Sequence, residues 1–174
     1  MDMKDLLSKS MAKQIGKAVG VDDDTVGALL QQAVPALLDN MSSNAKKKDG
    51  AAALQKALLA HADDDDDVAK IDKADGAKIV QHILGGNKNS LVKDLASLGG
   101  LDSKKVEEIL SLAGPLVMKS VGSQSKKNGG LDVADLLNDV MKDGLDMNDI
   151  RKVVSKIDAD DVKAATDLIG RLFR

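Results

Sequence analysis

Five consecutive aspartates, Asp63 to Asp67, begin two residues after His61 and form the densest set of potential ligands in the chain. Alternating carboxylates are how an oxygen cage for a hard cation is built, and Asp63, Asp65 and Asp67 occupy ligand positions of an EF-hand-type calcium loop. The obligatory glycine of that loop falls on Val68 and the closing glutamate on Ala74, so the template fails at both. A block of like charges repels itself and ordinarily marks a solvated loop or a helix start, which is the preferred reading. His61, Asp63, Asp65 and Asp67 stand as the candidate metal ligands against it, and His61 with Asp64 as a potential base or ligand pair. With no second ligand at helical spacing, His61 reads better as an exposed or helix-capping histidine. His82, the other histidine, lies among Val80, Ile83 and Leu84 and reads as a histidine at the edge of the core.

Catalysis finds little raw material. Without cysteine there are no disulfides, thiolate nucleophiles, zinc-thiolate sites or iron-sulfur clusters. Gly85-Gly86 and Gly99-Gly100 lack the spacing of a phosphate-binding loop and follow no strand, so they read as helix ends. The remaining carboxylates are scattered over polar faces. No enzyme is expected, and no cofactor.

The elements that carry these residues are organised by a repeat of eighty residues. Ten pairs are identical: Gly20/Gly100, Asp22/Asp102, Val26/Val106, Leu30/Leu110, Ala33/Ala113, Pro35/Pro115, Ser43/Ser123, Lys46/Lys126, Lys47/Lys127 and Gly50/Gly130. The repeat covers 14–62 and 94–142, and its two prolines are the only ones in the chain. Each copy centres on an apolar helix. In the first, Val26, Leu29, Leu30, Ala33, Leu37, Leu38 and Met41 follow helical spacing throughout. Pro35 interrupts that stripe at a cost of about 3 kcal/mol in a regular helix, so the helix bends there or a new one begins. As packing devices, the two bent helices are expected to pair about a pseudo-two-fold axis. As functional devices, the bends would open a binding groove.

The other helices are expected at 3–19, 51–61, 75–84, 91–98, 131–142, 147–157 and 161–172. Asp22 to Asp24 supply an N-cap and first-turn acids for the first central helix, Asp102 and Ser103 for the second, and Gly20 closes the first helix of the chain. The lysines at 46–48 and 126–127 suit helix C-termini, with anion-binding corners as the alternative. No segment alternates with period two. The fold class is therefore all-α: one domain over 1–174 of two repeated halves, about eight to ten short helices with Pro-kinked central helices, no sheet, and a helical extension at 146–174.

Phe173 is the only aromatic residue, so the core must be aliphatic, which favours close helix packing. The net charge of -3 argues against holding phosphate backbones, and nucleic acid is not expected as a partner. The N-terminus carries acids where a secretory leader would be basic, and no apolar run is long enough to span a bilayer, so a soluble cytoplasmic protein is expected.

Taken in order, Val26-x-x-Leu-Leu-x-x-Ala-x-Pro-x-Leu, Asp49-Gly-Ala-Ala-Ala-Leu54, Asp75-Gly-x-Lys-Ile-Val-x-His-Ile-Leu-Gly-Gly86 and Leu110-x-x-Ala-Gly-Pro-Leu-Val-Met118 resemble the bacterial YidB-like family, a domain of unknown function, over roughly 6–140. The resemblance implies an all-helical bacterial domain, with His82 where that family often has histidine. It implies no reaction. The aspartate run and the charged C-terminal helices depart from the family pattern. The functional expectation is a non-enzymatic module acting through protein contacts, with Met41, Met118, Met141 and Met147 as candidates for an adaptable groove. The alternative is a small-ligand or divalent-ion binding protein using 63–67 and the histidines.

Overall fold

In the computed structural model, which describes residues 3–127 and Leu137, side chains of aspartate and serine set most of the helix starts. Helix α1 is a single turn, Met3–Leu6. Ser8 then caps α2 (Lys9–Val19), its Oγ accepting from the Met11 amide at 3.2 Å. Asp22 caps α3 (Asp23–Ala45), accepting from the Thr25 amide at 2.8 Å and the Thr25 hydroxyl at 2.6 Å. Helix α4 is Gly50–His61, and Asp72 caps α5 (Lys73–Leu84). Helix α6 is Lys88–Gly99, and Asp102 accepts from the Lys105 amide at 2.8 Å to open α7 (Ser103–Lys127). Gly20 and Gly100 close α2 and α6 with φ of 72° and 60°, a left-handed geometry that glycine adopts without steric cost. Two short 3-10 turns, Val68–Lys70 and Gly85–Asn87, complete the set.

The described residues are all helical and hold no strand. Seven α-helices fall within the described residues; six have eleven residues or more, and two of these, at 23 and 25 residues, are longer than the short helices expected. The single helix expected over 3–19 breaks at Leu7, because Ser8 is a better cap than an interior residue. Helix α6 starts earlier than expected, since the polar 88–90 stretch forms its first turn. No new helix begins at Pro35 or Pro115, for α3 and α7 run through them without a break. The helices expected at 131–142, 147–157 and 161–172, the extension at 146–174, Met141 and Met147 lie outside the described residues; Leu137 is buried in the core.

Helix α7 is apolar on nearly every side and correspondingly buried, from Val106 to Val121. It touches each of the other six helices, most extensively α5 and then α4, whereas its contact with α3 is modest. The expected pairing of the two proline helices is therefore not the main one. The reason lies in glycine. A Cβ on Gly76 would lie 1.8 Å from the Ser111 carbonyl oxygen, and one on Gly114 would lie 2.7 Å from Val80 Cγ2, so α5 rests directly on α7. A Cβ on Gly122 would lie 2.2 Å from the Leu58 carbonyl oxygen, so α4 does the same two turns further on. At the positions of α3 equivalent to Gly114 and Gly122 stand Val34 and Ser42, which fill that space.

Pro115 belongs to the same contact. It has no amide hydrogen, so the carbonyl of Ser111 one turn earlier loses its helical partner. The backbone of Gly76 closes over that carbonyl, which places its Cα hydrogens where a weak C–H···O contact forms.

Gly76→Ala and Gly122→Ala are expected to lower stability by about 1–3 kcal/mol through overpacking against backbone atoms, outweighing the gain of about 1 kcal/mol from helix propensity. Gly86→Ala, where a new Cβ meets nothing within 4 Å, is expected to be close to neutral. Thermal and denaturant unfolding of the three variants checks the order.

Candidate functional site

The aspartate run connects α4 to the turn before α5, and each of its five members has a partner. Asp63 pairs with Lys126 and Asp66 with Lys119, both on α7. Asp64 Oδ2 lies 2.6 Å from His61 Nδ1, and Asp65 Oδ2 accepts from Lys70 Nζ at 2.5 Å. Asp67 accepts from the Ala69 amide at 3.0 Å and caps the short turn at Val68–Lys70. Beside them the Ser123 hydroxyl donates to the Ala62 carbonyl at 2.8 Å. The run is exposed along its length, as expected of a solvated loop, and two of its pairs also tie the end of α4 to α7. Among the described residues no three metal-ligating groups converge, so His61, Asp63, Asp65 and Asp67 are not gathered around one point.

A largely apolar depression lies between α4 and α5. It has a volume of about 620 Å³. Its floor includes Met41 from α3 and Met118 from α7, both buried. Met118 sits four residues from Gly114 and four from Gly122, on the same side of α7. Those glycines seat α5 and α4, which form no substantial contact with each other, so Met118 is left as the floor of the slot between them. One wall is α4, through Gly50, Ala53, Leu54, Ala57 and His61; the other is α5, through Lys78, Ile79, His82 and Ile83. This groove lies between two shorter helices that are both seated on α7, not between the two proline helices.

Lys47, Lys48 and Lys78 line the mouth, with Asp49 as its one carboxylate. A second, more polar cavity of about 540 Å³ adjoins it and shares Asn44, Lys47, His82 and Ile83. That cavity is cross-braced: Asn44 Nδ2 donates to the Ile83 carbonyl at 3.0 Å and Asn87 Nδ2 to Asn40 Oδ1 at 2.9 Å. Both histidines border the apolar slot. His61 is half-buried and engaged with Asp64, and His82 is exposed rather than set in the core edge as expected, because Ile83 and Leu84 take the inward positions.

The repeat markers are structural. Ala33 and Ala113 are fully buried in α3 and α7, Pro35 and Pro115 lie half-buried beside them, and Gly20 and Gly100 are the left-handed caps. Sequence reasoning singled out Met41, Met118 and the histidines, but missed Ala53, Ala57, Lys78 and Ile79 as walls of one slot. The only signal for them was that the 50–62 stretch is mostly apolar, with Gln55, Lys56 and His61 as its polar side chains, yet only Leu58 is fully buried within α4.

A family profile described as bacterial protein of unknown function (DUF937) matches residues 2–124. The chain belongs to this family. YidB is a member of it, so the sequence resemblance and the profile agree, although the match begins at 2 rather than 6 and stops at 124 rather than 140. All of α1 to α6, both walls and the floor of the slot, and most of α7 fall inside it. No curated protein and no solved structure matches the chain. No helix among the described residues is long and apolar enough to cross a membrane.

Two predictions follow from the charges. Lys119 has a side chain only 13% exposed while Lys126 and Asp63 are 43% and 83% exposed. Asp63→Ala should therefore cost about 0–1 kcal/mol, as for an exposed pair, and Asp66→Ala more, because it removes the partner of a lysine whose side chain is largely buried. Chemical denaturation of both variants tests the order.

The second prediction concerns pH. The Thr25 hydroxyl and amide hold the Asp22 carboxyl below its ordinary range; the Lys70 ammonium does the same for Asp65, which in turn raises Lys70. A lowered carboxyl contributes stability above its unfolded pKa and loses it as pH falls through the folded value; a raised lysine keeps its contribution until pH climbs past its folded value. Asp22→Ala should cost about 1 kcal/mol at neutral pH, and the gap from wild type should narrow in acid, as read by unfolding midpoints across pH.

Proposed function

We propose that this chain is a non-enzymatic helical interaction module of the bacterial cytoplasm that receives an apolar segment of a protein partner in the slot between α4 and α5. The observation that carries the reading is the slot's composition: a floor that includes Met41 and Met118, one wall in which Gly50, Ala53 and Ala57 stand beside Leu54 and His61, and another in which Ile79 and Ile83 stand beside Lys78 and His82. Methionine is unbranched and polarizable, so it moulds to irregular apolar surfaces. A wall of small residues lets a second backbone come close. The divalent-ion reading has less support, since the carboxylates it needs are already matched to lysines, to His61 or to a backbone amide.

The test is recovery of the tagged full-length protein from its native cells, beside an Ala53→Glu, Ile79→Glu variant whose circular dichroism and melting temperature match wild type. A protein held near stoichiometry by wild type and lost by the variant is the expected outcome. Equal retention by both would move the contact elsewhere on the surface and overturn the assignment to this slot. Calorimetric titration with calcium, magnesium, zinc and nickel is expected to give no binding heat at millimolar ion.

A further inference from the structure

We propose that the segment accepted by the slot is an acidic amphipathic helix, with its apolar side chains lowered between α4 and α5 and its carboxylates meeting the lysines of the mouth. This rests on the reading of the slot as a protein-docking site and names the chemistry of the partner.

The charge at the mouth runs against the rest of the chain. The protein is net negative at -3, yet Lys47, Lys48 and Lys78 line this opening against Asp49 alone. Elsewhere, Lys70, Lys73, Lys88, Lys119 and Lys126 are each matched to a carboxylate, while others such as Lys13, Lys17 and Lys56 are not, and none of these lines this opening. No such pair among the described residues includes the three at the mouth; Lys47 instead donates to Asn44 Oδ1 at 2.8 Å. A cationic rim around an apolar floor selects an anionic partner through encounter rate and register, with the buried contacts supplying most of the affinity.

The shape selects a helix. There is no strand among the described residues whose edge an extended peptide could extend, which removes β-augmentation there. Gly114 and Gly122 are eight residues apart, which is about 12 Å along α7. Helices seated at that separation leave a furrow above Met118, and a third helix lying over it lowers side chains at helical spacing into the space below. Ala53, at the rim, is itself exposed, and beyond it the α4 surface continues out of the cavity through exposed Lys56, Leu59 and Ala60. A small ligand confined to the cavity would leave that upper surface uncovered, and a helix would cover it.

The experiment uses the full chain labelled with 13C at the methionine methyls, titrated with two designed helical peptides that share one leucine and alanine face and carry glutamate or lysine on the other. The glutamate peptide is expected to shift the Met41 and Met118 methyl signals and to bind at least tenfold more tightly than the lysine peptide at low salt. Lys48→Glu, Lys78→Glu is expected to abolish or reverse that preference. Equal affinity for both peptides, no shift at Met41 and Met118, or sodium dodecanoate shifting these methyls at lower concentration than the glutamate peptide would each overturn the inference. The native-cell pull-down separates the two levels. If Ala53→Glu, Ile79→Glu loses the partner while Lys48→Glu, Lys78→Glu keeps it, docking in the slot stands and the acidic helix falls. If neither variant loses it, both fall.

Discussion

The close approach of two helices to one face of α7 is the constraint on which the rest of this structure depends. Gly76, Gly114 and Gly122 remove the Cβ atoms that would hold α5 and α4 at an ordinary packing distance, and backbone carbonyls of Ser111 and Leu58 take up the vacated space. Close approach multiplies dispersion contacts, each worth about 0.1–0.2 kcal/mol. It also gives an aliphatic chain without large rings a way to reach interior density. Because α4 and α5 are anchored at separate seats, they do not close on one another. The slot between them is thus a by-product of how α7 is packed, and Met118 becomes its floor because it is the large residue midway between the two glycines.

The same contact explains how an apolar helix tolerates proline in its middle. The bond lost at Pro115 leaves the Ser111 carbonyl without a helical donor, and the Gly76 backbone covers it. A leucine at 76 would push α5 away and leave that carbonyl poorly satisfied. Proline and glycine are therefore coupled across two helices, although 39 positions separate them.

Charge plays a subordinate part that is still specific. Lys119 and Lys126 are seven residues apart on α7, two turns, and so face the same way. They take Asp66 and Asp63 respectively, fastening the connection after α4 to the helix that α4 already rests on. At the other end of the molecule, Lys105 Nζ donates to the Val19 carbonyl at 2.5 Å, which binds the exit of α2 to the start of α7. Carboxylates that look like ligands in a list of residues are consumed as fasteners once a long helix with correctly spaced lysines lies beside them.

What the sequence determined by itself was local. Helical class, the apolar stripes of the two central helices, the caps at Asp22, Asp102, Gly20 and Gly100, and the family were all legible, because each rests on spacing or on a backbone preference of one residue. The break at Ser8 was legible in principle, as a serine followed three residues on by the amide it caps, but an unbroken apolar stripe concealed it. What only the tertiary structure decided was pairing. Periodicity places Val106, Gly114, Met118 and Gly122 on α7 without saying which helix each faces, and identical prolines suggested a partnership between α3 and α7 that is not the dominant one. Nor can a run of aspartates reveal lysines more than fifty positions away that neutralise it. Those outcomes depend on which surfaces come within a few ångströms in three dimensions, and the absence of three Cβ atoms settled them here.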